Sequence, residues 1–129
     1  PLIGEEEIAL VTDALRKGEI SGSFGNYIPQ FENEFASYVG CKYGIALTSG
    51  TTALHLAVGA IDIQPGDEVL LSASTNIATA LAIAHHGAIP VAVDSENETW
   101  NLNLDIIEEL ITPKTKAIIV VHLFGHPAD

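Results

Sequence analysis

Leu47-Thr48-Ser49-Gly50-Thr51-Thr52-Ala53-Leu54 is the stretch whose reading decides the fold. The apolar run Gly44 to Thr48 predicts a strand that stops at a turn of small and hydroxylated residues. Thr51 to Ala60 predicts a helix with Leu54 and Val58 on one face. A strand that runs through such a turn straight into a helix aims free N–H groups, hydroxyls and the positive helix end at one point. That is a phosphate cradle needing neither lysine nor arginine. Ser49 to Thr52 also reads as an ordinary helix cap, since Ser and Thr are favoured there. The turn alone does not choose between the two.

Downstream, strand and helix alternate. Gln64-Pro65-Gly66-Asp67 predicts a turn, Glu68 to Leu71 a strand, and Ile77 to His86 a helix apolar nearly all round. Ile89 to Val93 predicts a strand, Leu104 to Ile111 a helix, and Ala117 to Val121 a strand. The strands are short, apolar and not alternating, the pattern of strands covered on both faces. This is an α/β layer with parallel crossovers. Ligands in such sheets sit beyond the carboxyl ends of the strands. Candidate segments are therefore Ser49 to Thr52, Ser72 to Asn76, Asp94, and His122 to Gly125.

Upstream, Glu5 to Lys17 predicts an amphipathic helix with Ile8, Val11 and Leu15 on one face. Glu5 to Glu7 suit its positive end, Arg16 and Lys17 its negative end, and Gly18 stops it. Glu19 to Tyr27 reads as an irregular loop. A second helix is expected with Pro29 in its first turn, running to Val39 and burying Phe31, Phe35 and Val39, with Gly40 as its stop.

Hydrophobic residues make up 47% of the 129 and charged ones 17%, a composition that can bury a core. The net charge is −12, and the five basic residues, Arg16, Lys17, Lys42, Lys114 and Lys116, form no stripe. Nucleic acid and anionic membrane are poor partners for such a chain. No apolar run approaches the roughly 18 residues of a membrane span. Cys41 is the only cysteine, which excludes an internal disulfide and suits a reducing cytoplasm.

The motifs together resemble the N-terminal third of the pyridoxal-phosphate (PLP)-dependent nucleotide-sugar aminotransferases, the DegT-like family. The pieces are Ile3-Gly4-Glu5-Glu6-Glu7-Ile8, Phe31-Glu32, and Phe35-Ala36-Ser37-Tyr38-Val39-Gly40. Then come Thr48-Ser49-Gly50-Thr51-Thr52-Ala53-Leu54-His55-Leu56-Ala57, Pro65-Gly66-Asp67-Glu68-Val69, and Thr75 with Ala78-Thr79-Ala80. Thr99-Trp100-Asn101-Leu102 and Val121-His122-Leu123-Phe124-Gly125-His126-Pro127-Ala128-Asp129 complete the set. Each piece is weak alone; their order and spacing are specific.

The resemblance implies a three-layer α/β sandwich with a mostly parallel sheet, the N-terminal part of the large domain of the PLP-dependent transferases. Residues 1–129 would form part of the cofactor-binding domain, with an N-terminal helical segment over residues 1–40. Gly50 and Thr51 would bind the PLP phosphate through backbone N–H groups and the Thr51 hydroxyl, with Thr52 nearby. Asn76 stands where the family carries an aromatic that stacks on the pyridine ring, and it reads equally as a loop or helix-cap residue. His122 would lie beside the cofactor; it also reads as a hydrogen-bonded histidine packing a loop. The resemblance further implies a nucleotide-sugar substrate, glutamate as amino donor and a homodimer.

Transamination needs a lysine that holds the cofactor covalently and an acidic partner for its ring nitrogen. None of the five basic residues follows the strand pattern expected of that lysine, and Asp129 is not an obvious acidic partner. Both groups are expected beyond residue 129. Two other readings stand beside this one. The chain could be a catalytically silent piece that only folds and self-associates. Its parent could instead be a PLP-dependent sugar dehydratase, with histidine in place of the lysine. His122 and His126 are too few to make a metal site. His55 reads as structural, His85 and His86 as the close of a helix, and Asp94 as a loop organiser.

Overall fold

A computed structural model describes residues 2–128; Pro1 and Asp129 lie outside the described residues. The chain forms two compact units, Pro1–Ala46 and Leu47–Asp129.

The first unit carries helices α1 (Glu5–Lys17) and α2 (Tyr27–Tyr38). The Glu7 carboxylate accepts from the Gly4 N–H at 2.7 Å, closing the first turn of α1. That hydrogen bond holds the Glu7 carboxyl below the usual carboxylate range. Gly18 ends α1 at φ 73°, a left-handed cap that costs glycine least. Asp13 links the helices: it pairs with Lys17 at 2.6 Å and accepts from the Tyr27 hydroxyl at 2.7 Å. The Lys17 hydrogen bond, then that of Tyr27, lowers the Asp13 pKa. The stability this contributes is present above the unfolded carboxylate pKa and is lost as pH falls through the lowered one.

The expected burial of Phe31, Phe35 and Val39 does not occur. Phe31 and Phe35 stack at 5.6 Å between centroids yet stay 55% and 51% exposed, and Val39 is also exposed. The helix forms as its period predicts, but nothing among the described residues of this unit covers the apolar face of α2, where only Ala36 is buried.

The predicted strand Gly44 to Thr48 is not a strand. Residues 43–47 make no ladder. A Cβ at Gly44 would lie 2.5 Å from the Glu32 carbonyl oxygen, and the Ala46 N–H donates to the Glu32 carboxylate at 2.8 Å. The apolar pattern predicts a strand, but a strand requires a neighbour, and this segment has none among the described residues. Glycine is required at position 44 by that close approach. Gly44→Ala should destabilise the fold by about 1–3 kcal/mol through overpacking. A shift in the urea midpoint at unchanged m-value would show it.

The second unit holds α3 (Gly50–Ala60), β1 (Glu68–Ser72), α4 (Ile77–Ala84), β2 (Ile89–Val93), α5 (Ile107–Leu110) and β3 (Thr115–Ile119). All pairing is parallel, in the order β2-β1-β3. β1 and β2 run in register from Glu68 opposite Ile89 to Ser72 opposite Val93. Against β3 the register shifts between Glu68 and Val69, which face Thr115 and Ala117, so Lys116 is bulged out. The expected last strand, Ala117 to Val121, therefore lies two residues earlier. The expected helix Leu104 to Ile111 is a 3-10 turn, Leu104–Ile106, followed by the single turn of α5.

Side chains of β1 alternate between two cores. Val69 and Leu71 pack with Val58, Ile63, Ala82, Ile83 and Ala88, which brings α3 and α4 onto one face of the sheet. Leu70 packs with Val93 and Leu102, joined by Ile106, Ile107 and Leu110 on the other face. The unit is thus a three-layer α/β arrangement around a parallel sheet, as expected. Parallel pairing puts the carboxyl ends of all three strands on one edge, followed by Ala73 to Asn76, by Asp94, and by Val120 to His122.

Candidate functional site

The site starts from the cap of α3. Ser49 is its N-cap, in extended backbone, and its hydroxyl accepts from the Thr52 N–H at 3.2 Å. The Thr52 hydroxyl accepts in return from the Ser49 N–H at 3.1 Å and donates to the Ser49 carbonyl at 2.8 Å. This reciprocal box satisfies the third N–H of the helix. It leaves the N–H groups of Gly50 and Thr51, and the Thr51 hydroxyl, without a hydrogen-bond partner among the described residues. The two sequence readings are therefore compatible. Ser49 and Thr52 form the cap, and Gly50 and Thr51 carry the free donors. Ser49→Ala should cost about 1 kcal/mol, the usual value of such a cap, measured by denaturant unfolding.

Gly50 and Thr51 line an open groove of about 670 Å³ with Ala53, Leu54, Ala57, Asn76 and Ala78. A Cβ at Gly50 would meet no protein atom within 4 Å. The groove that Gly50 lines is thus open beside its Cα. Asn76 is the N-cap of α4, its Oδ1 accepting from the Ala78 N–H at 3.0 Å. Two helix N-termini therefore flank one groove, and their partial positive charges add there. The edge is the carboxyl edge, because α4 follows β1 directly. Ser72, the last residue of β1, is buried and its hydroxyl has no hydrogen-bond partner among the described residues.

The basic residues of this unit lie at the other edge. The Lys114 carbonyl accepts from Glu68 N–H at 2.9 Å, at the amino end of β1, and Lys116 occupies the bulge at the start of β3.

His122 follows β3 on the carboxyl edge but does not line the groove. Its Nδ1 accepts from the Ala128 N–H at 3.0 Å. Both readings of His122 thus remain compatible with its position: it is hydrogen-bonded into a loop, and the loop is at the ligand edge. His126 donates from Nδ1 to the Pro127 carbonyl at 3.0 Å. Among the described residues no group of histidine, cysteine or carboxylate side chains could hold a metal ion. No helix among them is long and apolar enough to cross a membrane.

The remaining candidates are structural. His86 donates from Nε2 to the His55 carbonyl at 3.0 Å, and the two rings meet edge to face at 4.4 Å. His85 caps α4. Asp94 accepts from the Ser95 N–H at 2.8 Å and its carbonyl accepts from Asn103 N–H at 2.9 Å, which organises the loop as expected. In that loop Glu96 accepts from the Thr99 hydroxyl and from backbone N–H groups, which hold its carboxyl below the usual range.

One residue given no role by sequence reasoning is central to this edge. Asn101 is 3% exposed and ties the loop after β2 to the loop after β3. Strained backbone lies in both loops: Trp100, before Asn101, and Phe124, after the Leu123 it binds, adopt φ of 63° and 51°, left-handed values that cost a non-glycine residue about 1 kcal/mol or more. A buried amide in an irregular loop has no periodicity to reveal it. Only its place in Thr99-Trp100-Asn101-Leu102 gave a signal.

The model of the DegT/DnrJ/EryC1/StrS aminotransferase family matches residues 1–129. GDP-perosamine synthase of Escherichia coli O157:H7 is 47% identical over the whole chain, which covers 35% of that protein. The spore coat polysaccharide biosynthesis protein SpsC of Bacillus subtilis is 46% identical over the whole chain, which covers 33% of it. In the solved PLP form of the Spr1654 protein of Streptococcus pneumoniae, the whole chain superposes on 32% of the length with a TM-score of 0.90 and 38% identity. The chain spans about a third of the length of the curated relatives it matches.

Proposed function

The chain belongs to the DegT/DnrJ/EryC1/StrS aminotransferase family, and on that premise we propose that the full-length protein is a PLP-dependent sugar aminotransferase. It moves an amino group, from glutamate, to the keto carbon of a nucleotide-linked deoxysugar. Residues 1–129 make up part of its cofactor-binding domain, with residues 1–40 as an N-terminal helical segment. The enzyme works as a cytoplasmic homodimer.

The observation that carries this reading is the pair of unpartnered N–H groups on Gly50 and Thr51, facing an open groove between two helix N-termini. An anionic phosphate fits those donors, and the Thr51 hydroxyl adds another. When bound, PLP supplies an electron-withdrawing ring that stabilises negative charge at the carbon bearing the amine. The residues of this chain do the positioning. Gly50 and Thr51 hold the phosphate. Thr52 stiffens the turn through its bonds to Ser49. Asn76 borders the groove with its Nδ2 free of protein partners among the described residues, where it would lie against a bound cofactor. His122 supplies a hydrogen-bonding group from the end of β3. The lysine that holds the cofactor comes from sequence beyond residue 129.

The test is the half-reaction of the full-length protein. Loaded with PLP and mixed with glutamate, it should convert the cofactor to its amine form, seen as a change in near-ultraviolet and visible absorbance. A nucleotide-linked keto-deoxysugar should reverse the change, and a free sugar should not. Absence of any donor-dependent change across the common amino acids would sink the aminotransferase reading. A change reversed equally by free sugars would sink the nucleotide-linked substrate.

A further inference from the structure

The Asn101 amide makes three long-range hydrogen bonds. Its Oδ1 accepts from the Leu123 N–H at 3.1 Å, and its Nδ2 donates to the carbonyls of His126 at 3.2 Å and Pro127 at 3.1 Å. These bonds reach both ends of the loop that follows β3. Inside that loop the Ala128 N–H donates to His122 Nδ1 at 3.0 Å. A ring nitrogen that accepts a hydrogen bond carries no proton, so the neutral His122 ring carries its hydrogen on Nε2.

We propose that Asn101 is a positioning residue for His122. By clamping Leu123 and the His126–Pro127 carbonyls, it holds the Ala128 N–H against Nδ1 and fixes His122 as an Nε2–H donor. Such a ring offers the Nε2 hydrogen to an oxygen acceptor of the cofactor or substrate. Without the clamp, Ala128 is released and either ring nitrogen can carry the hydrogen. The reaction's sensitivity to Asn101 rests on the cofactor placement proposed above; the tautomer assignment does not.

The experiment uses the full-length protein with ¹⁵N-labelled histidine, read by NMR of the ring nitrogens without and with PLP. The wild type should show His122 as one neutral tautomer, Nδ1 bare and Nε2 protonated. Asn101→Ala should show both tautomers in exchange, and kcat for the glutamate half-reaction should fall about 10- to 100-fold with KM little changed. Asn101→Ser, too short to span these partners, should likewise show both tautomers, and if neither variant folds the wild-type ring-nitrogen spectrum decides the question. A wild-type His122 protonated on Nδ1 would overturn the proposal. So would Asn101 variants that keep the single tautomer, whether or not their rate falls. If the wild type shows no glutamate-dependent cofactor change, the functional reading fails, and the ring-nitrogen spectra still decide the role of Asn101.

Discussion

Thr51→Val in the full-length protein should weaken PLP binding about 10- to 100-fold, because a hydrogen bond to a charged group contributes about 1.5–3 kcal/mol. The substitution preserves shape and β-branching and removes only the hydroxyl. That hydroxyl has no protein partner among the described residues, and Thr51 is exposed at the start of α3. Apo stability should therefore stay within about 0.5 kcal/mol of wild type, the range of surface substitutions. Gly50→Val should weaken PLP at least as much by a different route. Its added methyl groups would occupy open space beside a residue that lines the groove and crowd a phosphate held there. Cofactor titration by absorbance, paired with thermal melts of the apo proteins, measures both quantities. Wild-type affinity in both variants would mean that the phosphate binds elsewhere. A large loss of apo stability would mean that the turn is structural.

The second large effect is all or none. Borohydride reduction of the PLP-loaded full-length protein should attach the cofactor to one lysine, and peptide mapping should place that lysine beyond residue 129. The 129-residue chain treated in the same way should show no stoichiometric label. Its own lysines are poorly placed for the role. Lys114 and Lys116 stand at the amino edge of the sheet, opposite the groove, Lys17 pairs with Asp13, and Lys42 lies over the Tyr43 ring at 5.0 Å. The isolated chain should also bind free PLP only weakly. A helix terminus contributes about 0.3–1 kcal/mol to an anion, and the net charge of −12 opposes it. Stoichiometric labelling of Lys17, Lys42, Lys114 or Lys116 would contradict this assignment of the catalytic lysine.

Local chemistry made much of this fold legible. The acidic start, basic end and glycine stop of α1 predict Glu5 to Lys17, the span observed. Ile89 to Val93 is likewise observed as predicted, because a short β-branched run between a turn and a polar loop admits little else. The errors share one physical origin. Strand character at Gly44 to Thr48, and burial at Phe31 and Phe35, depend on partners distant in sequence, and local pattern cannot supply them. The offset of β3 has a similar cause, since the bulge at Lys116 is a property of pairing with β1.

The site divides in the same way. The Ser49 to Thr52 turn was readable because a cap uses neighbours within three residues, and its box formed as the residue types require. The meeting of Gly50 and Thr51 with Asn76 in one groove follows from two helices starting at one edge, which the α/β pattern implies. The clamp of Asn101 on residues 22 to 26 positions away was not readable, since a loop amide bears no mark of its distant partners.

A crystal structure of the full-length protein loaded with PLP tests the central claim most directly. A phosphate oxygen should lie about 2.7–3.1 Å from both the Gly50 and Thr51 backbone nitrogens, with the Thr51 hydroxyl on a neighbouring oxygen. A phosphate seated elsewhere, with these two N–H groups bonded to water or to other protein, would contradict it.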